Sequence, residues 1–362
     1  MNKNTVYNLT FFITVILTAV GTVMVYSASG MMSDYKYHNS MQFFLKQLVW
    51  ITIGLVSFLF FRKLDYNKIR EHTPEIIAAT FVMLALVLVF APSINGARRW
   101  LRFGPFSLQP AELAKISAVI FLAHYIAAAG KKMQDFKAGL VKPFAIIGTI
   151  VVLIFAERDF GIPTIIFITS LILLYSGGAK IKHLAIVFAA ILPLAVFYIV
   201  KHSYRMNRLT IFLHPWSDPG KGGYQIIQSL TAFGSGGLFG RGLGGSKIKN
   251  MFLPEAHTDF IFPILGEEQG FVGTMIILLL FVALFYLGIH IAKNAKNLFG
   301  SMLAFGITLM LALQAIVNMG VSVALLPNKG LPLPFISFGG SSLLMALTCM
   351  GILLNICGQM EK

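Results

Sequence analysis

Glu255, His257 and Asp259 stand at alternate positions in Leu253-Pro254-Glu255-Ala256-His257-Thr258-Asp259-Phe260. Two carboxylates around an imidazole can take a proton from a hydroxyl, one group acting as base while its neighbours hold or polarise it. An aspartate of ordinary acidity is a weak base for that task. Burial beside Phe260 and Phe262 would raise its proton affinity toward neutrality. The cluster is conspicuous because the chain carries only 14 Asp and Glu in 362 residues, and Glu255, Asp259, Glu267 and Glu268 share one short window. Asp259 is the expected base. Glu255 and His257 are the expected supporting groups, with His257 suited to orienting more than to titrating. Glu267 and Glu268 are expected to open a helix, where acidic side chains favour the dipole without any chemistry.

Cations gather in two other places. Arg98, Arg99 and Arg102 share a short loop that runs to Gln109-Pro110-Ala111-Glu112-Leu113-Ala114-Lys115. Pro110 suits the first turn of a helix, which sets Glu112 and Lys115 on one face near its start. An internal ion pair would explain those two alone. Three arginines at the same end favour a site for an anion, held by Arg98, Arg102 and Lys115 with Glu112 beside them. The second place is glycine-rich, with ten glycines in residues 220–245. Gly240, Gly242 and Gly245 spell GxGxxG, yet no strand precedes them, so a dinucleotide reading is rejected. Backbone N–H groups freed by glycine could instead form an anion-binding concavity near Arg241, Lys247 and Lys249; a flexible loop is the plainer alternative. A third irregular segment, 326–342, combines Pro and Gly with Ser337, Ser341 and Ser342, whose expected roles are capping and packing. No zinc-ligand pattern occurs.

The elements that must position these groups are membrane helices. Hydrophobic residues make up 57% of the chain, the mean hydropathy is +0.78, and apolar runs near the ~20 residues that cross a bilayer recur throughout. Ten spans are expected, at roughly 9–28, 42–61, 76–92, 111–129, 143–157, 161–176, 182–200, 269–292, 299–324 and 335–357. The first reads as a retained anchor, its apolar run being longer than a signal-peptide core. Lys and Arg follow spans two, four, six and eight, so those loops and both termini are expected in the cytoplasm. The formal charge of +15 then reads as topology plus attraction to anionic lipid, with no nucleic-acid partner. Seven Lys and Arg in the long outer segment 201–268 depart from that pattern. Within it, Tyr224, Ile226, Ile227, Leu230 and Phe233 recur at helical spacing, as in a short amphipathic helix lying at the interface. Cys349 and Cys357 are too far apart along one helix for a disulfide. The expected fold is a single all-α integral membrane domain, residues 1–362.

Four stretches carry a resemblance: RRWLRFGPFSLQPAELAK, DPGKGGYQIIQSLTAFGSGGLFGRGLG, FLPEAHTDFIFPILGEEQGFVG and NMGVSVALLPNKGLPLPFISFGGSSLL. In this order, on a ten-span plan covering essentially the whole chain, they resemble the SEDS (RodA/FtsW) family of polytopic peptidoglycan glycosyltransferases. PEAHTDF, GYQIIQSL and PNKGLPLPFISFGGSS look closer to its division-type branch than to its elongation-type branch. One turn departs: where relatives usually carry Gln/Glu-Pro-Asp-Leu/Phe-Gly-Thr, this chain has Glu157-Arg158-Asp159-Phe160-Gly161-Ile162.

The resemblance implies polymerisation of lipid II on the outer face of the cytoplasmic membrane. The C4 hydroxyl of one disaccharide would attack the anomeric carbon of another and displace undecaprenyl pyrophosphate with inversion, from an α donor linkage to a β-1,4 product. Asp259 would be the base, and Arg98, Arg102 and Lys115, with Arg241 behind them, would hold the pyrophosphate, because cations there stabilise the leaving group and arginine's planar fork binds phosphate oxygens in pairs. A divalent cation is left open. The expected partners are a class B penicillin-binding protein, whose transpeptidase domain cross-links the strands, and other division or elongation membrane proteins. The rival reading is a flippase for the lipid-linked precursor; polar groups collected at one face, instead of through the midplane, argue against it.

Overall fold

The computed structural model describes the chain except residues 94–95, 105, 202–205, 207–209, 221, 250–251 and 362, and it describes no side chain for Lys36, Phe103, Phe106, 190–192 and 194–200. Three cations expected on the outer face, Arg205, Arg208 and Lys221, lie outside the described residues.

The helices are α1 (Lys3–Tyr37), α2 (Gln42–Lys63), α3 (Tyr66–Glu71), α4 (Thr73–Phe90), α5 (Pro110–Ala129), α6 (Lys142–Ala156), α7 (Gly161–Ser176), α8 (Ile181–Lys201), α9 (Tyr224–Gly236), α10 (Ile261–Lys293), α11 (Leu298–Ser322) and α12 (Gly340–Gly358). A small antiparallel hairpin, β1 (Leu101–Phe103) with β2 (Phe106–Leu108), pairs Arg102 with Ser107. Local chemistry sets several helix starts. The side chains of Asn2, Asp65 and Asn297 accept the first free N–H groups of α1, α3 and α11. Proline stands in the first turn of α4, α5 and α6, where its missing N–H leaves no helical bond unmade.

Each expected apolar run falls on a helix, but the bounds differ. Among the described residues eight helices are long and apolar enough to cross a membrane, and α7 is a shorter apolar one. The expected eighth span, 269–292, is the lower part of α10, which begins at Ile261 and breaks at Gly270 (φ 69°, ψ −168°). The tenth expected span starts too early: residues 335–339 are irregular and α12 opens at Gly340. Cys349 and Cys357 are free and buried.

Packing centres on α11 and α12. α12 lies along α2 and crosses α1; α11 packs on α5, α7 and α10. The two ends of the chain meet, with Lys3 Nζ donating to the carbonyl of Met360 at 3.0 Å. The start of α3 joins the same face through Tyr66 N–H to Asn355 Oδ1, as does the α10–α11 junction through Asn297 Nδ2 to Asn67 Oδ1. The opposite face gathers the β-hairpin loop, the α6–α7 turn, the segment before α10 and the loop before α12. The polar residues singled out above are on or beneath that second face.

The glycine-rich stretch is neither a flexible loop nor an open anion concavity. It closes the break in α10. A break frees backbone groups that hydrocarbon cannot satisfy, and here Phe271 and Val272 donate to the carbonyls of Gly237 and Leu238, while Arg241 and Gly242 donate to those of Glu267 and Glu268. A β-carbon on Gly240 would stand 2.2 Å from Glu268 O, and one on Gly270 2.3 Å from Gly240 N, so both positions exclude side chains. The helix predicted around Tyr224 forms as α9. Its apolar face, with Ile226, Ile227 and Ala232 buried, packs on α10 and α11.

Candidate active site

Asp259 is the last residue but one before α10, and its backbone is held from three sides. Phe260 N–H and Thr258 N–H turn back to the carbonyl of Glu255 at 3.2 and 3.1 Å. The Asp259 carbonyl accepts from Asn318 Nδ2 of α11 at 2.8 Å, and the same amide reaches Leu331 O at 2.7 Å. The His257 carbonyl accepts Phe338 N–H at 2.9 Å. The α11–α12 loop is thus fastened along the segment that carries Asp259. Gly330 of that loop lies against the carboxylate: a β-carbon there would be 2.5 Å from Oδ2. Burial pushes the Asp259 carboxyl up to about 7, with the negative charges of Glu255 and Asp159 adding to the shift and Arg99 opposing it.

The supporting residues divide. His257 is buried, its ring 4.5 Å from that of Phe43 and 5.7 Å from that of Phe338, an aromatic seat that orients it. Glu255 is exposed and accepts from Thr258 Oγ1 at 3.0 Å.

The cations expected to form one group do not share one environment. Lys115 and Glu112 are buried and paired at 2.9 Å, and Lys115 donates to Gln314 Oε1. Gln314 in turn donates to Pro332 O at 2.8 Å, so the ion pair underlies the α11–α12 loop from within. Arg98 is exposed and caps the end of α4 through Leu88 O at 3.0 Å. Arg102 is exposed on β1. Arg241 bonds Ser235 O at 3.1 Å and lies 3.7 Å from Glu267 Oε1, inside the glycine-rich segment. Glu267 and Glu268 are not simple dipole partners at a helix start. Each is 1% exposed, and Lys249 Nζ reaches Glu268 at 2.8 Å.

Three residues near Asp259 went unselected in the sequence. Arg99 spreads its guanidinium over the α6–α7 turn, Nε to Glu157 O at 3.4 Å and Nη2 to Arg158 O. Asp159 accepts Gly161 N–H at 2.9 Å, capping α7, and Gln109 Nε2 at 3.3 Å. Lys329, half-buried beside Gly330, donates to Thr164 Oγ1 at 3.3 Å. Burial lowers its pKa and the charge of Asp159 opposes that fall. A lysine among repeated prolines and glycines was the available signal; the serines of that segment drew attention away from it. Those serines cap and pack: Ser341 Oγ accepts Gln109 N–H at 3.0 Å, and Ser337 Oγ accepts Leu333 N–H at 2.8 Å.

The departing turn also acquires a geometry. Arg158 has φ 63°, a region that a proline ring cannot enter. The turn built here is one that the usual Pro-containing version of the family pattern cannot make. Just before it, Glu157 is fully buried, with neither carboxyl oxygen hydrogen-bonded. Burial first, then the charge of Asp159, pushes it up to about 8 against the opposing pull of Arg99. Among the described residues no three His, Cys, Asp or Glu side chains form a metal-ligand set.

A bundle of helices long and apolar enough to cross a membrane defines a polytopic membrane protein. The family model described as "Cell cycle protein" (FtsW/RodA/SpoVE) matches residues 7–362, and the chain belongs to that family. A relative in Geobacter sp. (strain M18), "Probable peptidoglycan glycosyltransferase FtsW", is 40% identical over 96% of this chain and 95% of its own. "Stage V sporulation protein E" of Bacillus subtilis (strain 168) is 41% identical over 95% and 94%. A solved structure described as "Structural coordination of polymerization and crosslinking by a peptidoglycan synthase complex" matches with TM-score 0.79 at 26% identity, covering 96% of each chain. Thermus thermophilus RodA matches with TM-score 0.71 at 25% identity, covering 98% of this chain and 97% of that one.

Proposed function

We propose that this protein is a peptidoglycan glycosyltransferase of the SEDS fold that polymerises lipid II into β-1,4-linked glycan at the outer face of the cytoplasmic membrane. The observation that carries the reading is the carboxylate of Asp259, set against Gly330 on a backbone held by Asn318 and pushed up to about 7. A carboxylate tuned there is half ionised near neutrality and strong enough to accept a hydroxyl proton. As the acceptor's C4 oxygen bonds to the donor's anomeric carbon, its proton passes to Asp259. The bond from that carbon to the pyrophosphate oxygen breaks, and undecaprenyl pyrophosphate leaves with the electron pair.

Stabilising that leaving group calls for cations at the same face. Arg98 and Arg102 are exposed there, Arg99 acts on the carboxylate's charge, and half-buried Lys329 precedes the Gly330 that lies against it. Lys115, paired with Glu112 inside the bundle, has the weaker case for direct contact with pyrophosphate. Arg241 is engaged by Glu267, which weakens its case too.

The relatives' names favour division-type work, with sporulation the sibling role and elongation the more distant one. A class B penicillin-binding protein is the proposed partner, supported by the synthase-complex likeness, and other division membrane proteins are expected around the pair. The enzyme and flippase readings separate in one experiment. The purified protein with its transpeptidase partner is given lipid II in detergent, and the protein alone is given lipid II in sealed vesicles. Glycan chains in the first assay are expected. Transport in the second with no polymer in the first would replace this reading by the flippase.

A further inference from the structure

The segment that carries Asp259 leaves the glycine-rich stretch at Ser246 and re-enters the bundle at Ile261. Its first end is held by a side chain of the helix that its second end opens. Glu267, on the second turn of α10, takes Ser246 Oγ and Ile248 N–H (3.3 Å) on one carboxyl oxygen and Lys247 N–H (3.1 Å) on the other. Its own helix begins immediately after Phe260. Leu253 N–H donates to Ile248 O at 3.2 Å, which ties the start of the Glu255–Asp259 turn to the held end. Glu268, the next residue, anchors the same end to α1: its Oε1 accepts from Lys249 Nζ at 2.8 Å and Ser27 Oγ at 2.6 Å.

We propose that Glu267 is a positioning residue for the reaction: its buried carboxylate staples the two ends of the 246–260 segment together and thereby fixes Asp259 in its site. A carboxylate is the right group for this. It is acceptor-only, and three donors, two of them backbone N–H groups, point at it. Its isostere glutamine would turn an N–H toward one of them. The same staple explains why a glutamate 1% exposed is tolerated, since a buried charge persists where it is hydrogen-bonded. The short path from staple to base gives the consequence. Released at one end, the segment admits more water to half-buried Asp259 and lets its carboxylate move away from Gly330.

The test rests on the proposed glycosyltransferase reading and separates from it. Glu267→Gln and the milder Ser246→Ala are purified with the transpeptidase partner. Lipid II polymerisation is followed against pH, and hydrogen exchange is read over the peptide covering 246–260. The charged groups that set the pH response are Glu255 on the same loop, Asp159 before α7, Arg99 before β1 and Lys329 beside Gly330, with Arg241 and Lys249 at the staple; none is altered by either substitution. Stapling predicts that kcat falls on the order of 10- to 100-fold in Glu267→Gln, the effect of a small misplacement of a reacting group. KM changes little, and the acid limb of kcat/KM moves down by about 1 pH unit or more as Asp259 is hydrated. Ser246→Ala is expected to show a smaller shift in the same direction, and both variants to exchange faster at Lys247, Ile248 and Leu253. An unmoved acid limb with a uniform loss of rate at every pH would overturn the proposal, as would unchanged exchange; if Glu267→Gln does not fold, Ser246→Ala decides alone. A wild-type complex that makes no polymer, or an Asp259→Asn variant as active as wild type, would instead remove the catalytic reading, while exchange still reports the staple.

Discussion

At the scale of the residue, the site is a balance of charges around a half-buried carboxylate. Burial is the largest influence on Asp259, Asp159 and Glu255 reinforce it, and Arg99 opposes it. The sign of two substitutions follows. Replacing Asp159 by Asn removes a like charge, so the acid limb of the polymerisation profile should move to lower pH, and Arg99→Gln should move it to higher pH, each by roughly 1 unit or less. Rate against pH for the two variants and wild type checks both; shifts in the same direction would refute the balance. Glu157 supplies a stability prediction. Its carboxyl is pushed up to about 8 in the fold from an ordinary value near 4.3 when unfolded, so the folded state holds more protons between those values. Its contribution is therefore fully present at low pH and is lost as pH rises through about 8. The Glu157 contribution should lower the wild-type melting temperature as pH rises between about 5 and 8, and Glu157→Gln should flatten that slope. Asp259 and Glu255 stood out in the sequence through the scarcity of carboxylates together with the family resemblance of the PEAHTDF stretch. Arg99, Lys329 and Glu157 were not, since what distinguishes them is burial and neighbours contributed by other elements.

At the scale of the element, the glycine-rich stretch decides whether α10 can be broken at the height of the site. Gly270 at φ 69° and Gly240, whose α-carbon backs onto Glu268 O, leave no room for a methyl group. Gly270→Ala combines an unfavourable backbone region with a 2.3 Å clash against Gly240 N, and should destabilise the detergent-purified protein by about 2 kcal/mol or more. Thermal unfolding reads this directly, and an unchanged melting temperature would show that the break is not held by this contact. Helix positions followed from hydropathy, because a spanning helix needs only length and apolar surface. The break did not. A largely apolar run, 269–292, hides a glycine whose departure from the helix is offset by hydrogen bonds from a stretch about 30 residues earlier. The GxGxxG spacing was visible, but its partner backbone was not, so an anion site was expected where the chain supplies its own carboxylate, Glu267.

At the scale of the whole molecule, the chain has one chemical face and one plain face. Lys3 meets Met360 at the plain face, and the Asp259 segment, the α6–α7 turn and the α11–α12 loop meet at the other. From the lysine pattern we propose that the plain face lies in the cytoplasm. With Cys349 and Cys357 buried, single cysteines report this cleanly: Glu255→Cys should react with an impermeant thiol reagent added outside intact cells, and Lys132→Cys only after lysis. The reverse pattern would invert the topology and move the reaction to the other side of the bilayer. On this reading Asp259 takes the proton in glycan polymerisation, and the measurement that bears on it most directly is polymer formed from lipid II by Asp259→Asn against wild type, each purified with its transpeptidase partner. Asparagine keeps the shape of the side chain and cannot accept the proton, so a folded, partner-bound variant should lose at least about 100-fold in rate. A variant that polymerises at the wild-type rate would contradict the account and pass the role of base to Glu255 or His257.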